Sequence, residues 1–83
     1  MTFPLIHNNG TGVKTLVAEY NDAHDAFEAF KMAFCATTHH ARDYYPLGQD
    51  AFAKASKERQ DIFRHMESIQ TYLEAMRLHL YES

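Results

Sequence analysis

The chain has one cysteine, no tryptophan, three glycines and two prolines in 83 residues. A single cysteine, Cys35, excludes an internal disulfide, so a secreted, cross-linked mini-protein is not expected and a reducing cytoplasm is the expected compartment. Eight Lys and Arg stand against eleven Asp and Glu, a formal net charge of -3, and no basic tract occurs. Nonspecific nucleic-acid binding rests on such a tract, which makes nucleic acid an unlikely partner. No apolar run approaches the ~18 residues of a membrane span. The stretch from Met1 to His7 also lacks the basic start and long apolar centre of a signal peptide. No GxSxG, phosphate-loop or HExxH motif is found. At 9.6 kDa there is room for one core, which excludes multi-domain enzymes and large cofactor folds.

What is present favours helix. Hydrophobic residues at 46% and charged residues at 23% describe a chain that folds. The five breakers are confined to Pro4, Gly10 and Gly12 at the front and Pro46 and Gly48 in the middle, leaving 13–45 and 49–83 free of Gly and Pro. Eleven alanines and many Glu, Lys, Gln, Met and Leu favour helix in both stretches. Thr11 is placed to cap the first helix and Asp50 the second. Neither forms a capping box, because Lys14 and Ala53 occupy the third helical positions.

Periodicity sharpens this. Val13, Leu16, Tyr20, Ala23, Phe27, Phe30, Phe34, Thr37, Ala41 and Tyr44 recur at alternating spacings of three and four, as do Phe52, Ala55, Arg59, Ile62, Met66, Ile69, Leu73, Met76 and Leu80. A turn at Pro46 to Gly48 lays the two rows antiparallel, with Tyr44 opposite Phe52, Phe34 opposite Ile62, Phe27 opposite Ile69 and Leu16 opposite Leu80. The short loop selects that register. The expected fold is therefore all-α: an N-terminal arm over 1–12 and an antiparallel helical hairpin over 13–83. Helix one is expected over 12–43, the loop over 44–49 and helix two over 50–81.

One two-helix seam buries little for a whole chain, since ordering costs about 1.5 kcal/mol per residue. Ala26, Ala29, Ala33 and Ala36 form a small-residue strip on helix one, and Phe63, Leu78 and Tyr81 widen the apolar surface of helix two. These residues are the candidate dimer interface of a four-helix bundle built from two hairpins. The competing expectation is a monomer capped by the Phe3-Pro4-Leu5-Ile6 arm.

Chemistry finds little support. Six histidines invite a metal, yet the Glu-x-x-His motif of di-iron bundles does not occur. His24 with Glu28 and Asp61 with His65 are the pairs at helical spacing. His39 and His40 are adjacent and point about 100° apart on a helix. No metal, cofactor or catalytic residue is assigned, and the chain is not expected to be an enzyme. Cys35 reads as a small packed residue without a cation to make it a thiolate. Glu19, Asp22, Asp25 and Glu28 read as a solvated face near a helix start. Arg59 is the odd member of the second row, opposite Thr37, with Asp43 as its candidate partner. It reads either as a polar layer that fixes register or as a side chain reaching out of the hairpin end.

The most informative segment is Arg42-Asp43-Tyr44-Tyr45-Pro46 at the hairpin tip, whose composition is that of protein-binding hot spots. With His7 and Asn9 of the arm, these residues are the candidates for partner binding or for docking of one chain's arm on the other chain's loop. The segments Ile6-His7-x-Asn9-Gly10-Thr11, Arg42-Asp43-Tyr44-Tyr45-Pro46-x-Gly48 and Asp50-Ala51-Phe52 together resemble a group of small, largely uncharacterised proteins encoded by tailed bacteriophages and prophages. The chain departs from that pattern at Ala41, where a Gly is expected, and at Asn8, where an aliphatic residue is. The resemblance implies a phage origin and a helical hairpin, and it supplies no activity. The expected function is a non-enzymatic interaction module that inhibits or modulates a host protein, such as a defence component, in the host cytoplasm. A nucleic-acid accessory role through Lys54, Lys57, Arg59 and Arg64, and a structural or scaffold role in the phage particle, are the alternatives.

Overall fold

A computed structural model describes residues 1–6, 10 and 12–82. Helix α1 spans Val13–Cys35 and helix α2 spans Ala51–Tyr81. An extended stretch and two 3-10 turns, Ala41–Asp43 and Tyr45–Leu47, join them. The expected all-α hairpin is what the chain forms. It is a rod of 61 × 21 × 18 Å.

Helix α1 stops eight residues short of the expected end at 43, and local chemistry explains why. Thr37 and Thr38 are β-branched and disfavour helix. The Thr37 hydroxyl donates to the Phe34 carbonyl at 2.6 Å, and the Thr37 amide donates to the same oxygen at 3.0 Å. That tightens and closes the last turn. His40 then leaves the helical region (φ -127°, ψ 136°) and accepts the Arg42 amide on Nδ1 at 3.1 Å, which starts the first 3-10 turn. The loop accordingly covers 36–50 and not 44–49.

Helix α2 begins where expected. Asp50 precedes it, but its backbone is already helical (φ -92°, ψ -8°) and its side chain makes no capping bond. Gly12 holds the cap position of α1, and the Thr11 expected there lies outside the described residues. Gly48 carries the chain into α2 with φ 106° and ψ 170°. That is a conformation essentially reserved for glycine.

The core consists of Phe27, Met66 and Leu73, with Tyr20, Phe34 and Phe63 packed against them. Met76 and Leu80 are buried further along α2. The antiparallel register agrees near the tip, where Arg59 meets Thr37 and Tyr44 meets Phe52, and is two residues off at the other end, where Arg77 meets Asn21. Among the described residues all five that are buried, together with Tyr20 and Phe34, belong to the expected rows, but the helices are turned slightly from the expected seam. Phe30, Ile62 and Ile69 are 51%, 42% and 47% exposed, and Ala23 is exposed. His24, Lys31, Phe63 and Gln70 take the inner positions instead, with Lys31 Nζ donating to Gln70 Oε1 at 3.2 Å across the interface. The apolar sector of each helix is wider than one two-helix seam can cover, so the seam takes one edge of it and the other edge faces out.

The arm returns along the far end of the rod. Phe3 stacks on the His79 ring (centroids 4.4 Å apart, 14° between planes), and His79 Nε2 lies 3.2 Å from the Pro4 carbonyl. Leu80, 1% exposed, lies at this end. No helix among the described residues is long and apolar enough to cross a membrane.

Candidate protein-interaction surface

The tip is assembled from both sides of the loop. His39 stacks on Phe52 (4.7 Å, 23°), meets Tyr44 edge-on (5.9 Å, 62°) and pairs its Nε2 with Ser56 Oγ at 2.9 Å. Tyr44 and Phe52 rings lie 5.8 Å apart. This aromatic trio fixes the inner side of the loop to the start of α2. Pro46 sits in the second 3-10 turn, where its ring sets φ and rigidifies the outer side. What projects is apolar: Tyr45 is 69% exposed and Leu47 74% exposed. Beside them lies a concavity of about 520 Å³ lined by Ala41, Tyr45, Gly48, Gln49 and Phe52. An exposed tyrosine and leucine held on a stiff turn next to a recess lose little side-chain and backbone freedom when a partner covers them.

Behind the tip, Arg59 closes α1. Its Nη1 donates to Thr37 Oγ1 at 2.8 Å, and its Nη2 donates to the Phe34 carbonyl at 3.3 Å. The guanidinium lies over the Phe34 ring at 4.8 Å and the Phe63 ring at 5.4 Å. Helix α1 has no basic residue in its own last turn, so α2 supplies the positive charge that the carbonyl end of a helix favours. The partner anticipated for Arg59, Asp43, is exposed and is not the group it binds.

The candidate residues fall into separate places. Of the tip segment, Tyr44 is turned into the aromatic trio, while Arg42, Asp43, Tyr45 and Pro46 are exposed. His7 and Asn9 lie outside the described residues. The seven dimer candidates divide among several faces. Phe63 belongs to the intrachain seam, edge-on to Phe34 at 5.4 Å. The Tyr81 hydroxyl bonds to the Asn21 amide group, accepting at 3.1 Å and donating at 3.3 Å. Ala26 and Ala33 lie on the exposed apolar edge of α1, Ala29 and Ala36 on its outer side. Leu78, 61% exposed, projects on the side opposite Ile62 and Ile69. Cys35 is exposed and not packed.

Of the four basic residues of α2 considered for nucleic acid, Lys54 and Lys57 are exposed and the two arginines are engaged within the chain. Arg59 is engaged at the end of α1, and Arg64 pairs with Asp61 at 2.7 Å. Of the pairs considered for metal, His24 lies 3.9 Å from Glu28, while Asp61 is taken by Arg64. Among the described residues no group of three or more His, Cys, Asp or Glu is placed to hold an ion.

Comparison of the chain with protein-family models, with curated proteins and with solved structures finds no match. The reading of the surface therefore rests on its own chemistry. Phe52 is expected opposite Tyr44, but His39 is not singled out from the sequence for the tip, because extending helix one to 43 places it on a helix surface. The Thr37-Thr38 pair is the signal that ends the helix early and frees His39 to fold inward.

Proposed function

We propose that the chain is a non-enzymatic protein-interaction module whose binding surface is the hairpin tip. The observation that carries this reading is the pairing of outward Tyr45 and Leu47 with an aromatic anchor beneath them, beside an open recess. Apolar side chains on a rigid support are what an interface centre needs. In line with the resemblance of the loop, the module is phage-encoded and acts in the host cytoplasm by occupying a surface of a host protein, a defence component being the concrete form.

The test is affinity capture from host lysate at several growth stages with the native chain and with a Tyr45→Ala/Leu47→Ala double variant. A single protein is expected in near-stoichiometric amount with the native chain and at least tenfold less with the variant, while helical circular dichroism is unchanged. Failure to recover a stoichiometric partner at every stage, or equal recovery by the variant, overturns the proposal.

A further inference from the structure

The rod leaves more surface in water than its size explains. Its accessible area is 6410 Å², about 1,300 Å² above the roughly 5,100 Å² of a compact monomer of this mass. Its radius of gyration is 18.6 Å, against about 12 Å for a compact domain of this length.

An apolar part of this surface runs along one side of the rod. At about 100° per residue, Ala23, Ala26, Phe30 and Ala33 share one edge of α1. Ile62, His65, Ile69 and Tyr72 share one edge of α2, and in an antiparallel hairpin these two edges lie on the same side of the molecule. All eight are exposed. Between Glu19 and Thr37 on α1, and between Glu58 and Met76 on α2, this strip carries no Asp, Glu, Lys or Arg. The opposite side carries Glu28, Lys31, Glu67, Glu74 and Arg77.

We infer that two copies of this chain pair through the uncharged strip into a four-helix bundle, with both hairpin tips at the same end. Area identifies the occupant. Over two copies the excess is about 2,600 Å², so covering half of it gives about 1,300 Å², the size of a standard specific interface, which starts at about 1,200 Å².

Shape fixes the sense. Interpolating between Thr37 opposite Arg59 and Asn21 opposite Arg77 places Phe30 level with Glu67, between Ile62 and Ile69 and nearer the latter. A two-fold axis parallel to the rods lays α1 of each copy over α2 of the other at that same level. Phe30 then packs against His65 and Ile69 of the partner subunit, while the partner's Ile62 lies near the level of Ala33 and the partner's Ile69 between Phe30 and Ala26, as knobs enter holes. An axis across the rods stacks alanines on alanines and isoleucines on isoleucines, leaving a void at one side and a collision at the other. Pairing in the parallel sense brings two tips together and does not depend on what the tip binds. Its failure leaves a single tip intact.

Light scattering behind gel filtration at about 20 μM gives the mass, with a dimer expected for the native chain. Ile69→Glu and Phe30→Glu act at half-exposed positions, so each is expected to stay helical and become monomeric. Leu78→Glu, on the opposite side, is expected to remain dimeric. Spin labels on a Gln49→Cys variant in a Cys35→Ser background report the sense. Two labels at one end lie within about 20 Å, the width of two packed helix layers, whereas opposed tips lie near the 61 Å of the long axis. A monomeric native chain, a dimer that both strip variants leave intact, or widely separated labels overturns the inference.

Discussion

Replacing Arg59 with alanine tests the account of how α1 ends. The substitution removes the donors to Thr37 Oγ1 at 2.8 Å and to the Phe34 carbonyl at 3.3 Å, together with the cation over Phe34 and Phe63. Hydrogen bonds from a charged group contribute about 1.5–3 kcal/mol. The low end applies because Arg59 is only half-buried and water can reach the carbonyls it leaves. A cation at a helix C-terminus adds about 0.3–1 kcal/mol, and its stacking on the half-buried Phe34 and Phe63 rings, at a site that water reaches, about 0.5–1 kcal/mol. All three effects belong to one guanidinium and overlap, so the expected loss is about 2–3 kcal/mol. For a domain of this size that is a fall in Tm of roughly 10–20 °C. Arg59→Lys keeps the charge but not the planar fork, and recovers about half of the loss. Asp43→Asn is expected to change stability by less than ~0.5 kcal/mol, because Asp43 is exposed and does not bind Arg59. Thermal melts followed by circular dichroism at one fixed protein concentration measure all three, since association would make Tm depend on concentration. An Arg59→Ala loss below ~0.5 kcal/mol, or an Asp43→Asn loss as large, would refute the capping role.

Gly48→Ala is expected to cost about 1–3 kcal/mol through backbone strain alone, because φ is +106° and nothing lies within 4 Å of an added Cβ. Chemical denaturation checks it, and an unchanged midpoint contradicts the strain. The Tyr20 phenol is held above its ordinary pKa of 10.0, first by its hydrogen bond with Tyr72 and then by burial. The folded state thus holds this proton more tightly than the unfolded chain, so the stabilisation is complete below about pH 10 and is lost as pH rises through the folded pKa. Tyr72→Phe should bring the Tyr20 titration down toward the ordinary value, read by tyrosinate absorbance; no movement would sink the assignment. Phe3→Ala removes the stack on His79 and should cost about 0.5–1.5 kcal/mol beyond the lost area, with faster amide exchange near Leu80. Exchange identical to the native chain would show that the arm is not docked.

The parts of this molecule that the sequence discloses are those set by spacing. Breakers at Pro46 and Gly48 and rows at intervals of three and four are enough for two antiparallel helices, and the start of α2 follows from Gly48 and Asp50. Register is legible too, because Tyr44 opposite Phe52 and Thr37 opposite Arg59 depend only on where the chain turns. Rotation is not. Spacing alone gives Phe30 and Lys31, or Ile69 and Gln70, nearly equal claims to the seam, since adjacent residues on a wide apolar sector differ by about 100°. The end of α1 was hidden for another reason. Thr37 and Thr38 disfavour helix only weakly by propensity, and the bonds that close the turn, from Thr37 and from the distant Arg59 to the Phe34 carbonyl, are not written in the spacing.

The choice of rotation also separates the two uses of the surface. Polar contacts across the rod hold it: Lys31 on Gln70, and Asn21 with Arg77 and Tyr81. Each is a hydrogen bond that a slipped or turned helix would break, whereas leucines in these places would pack at several rotations with similar energy. Fixing the polar edge inward forces Phe30, Ile62 and Ile69 outward, so their exposure follows from specific bonds and not from a lack of apolar residues. The tip obeys a different constraint. Tyr45 and Leu47 project because Gly48 and Pro46 define the turn and because Tyr44, His39 and Phe52 fill the space behind it. Substitutions in the strip and in the tip therefore act through independent contacts, and the association of the rods can be altered without altering what the tip presents.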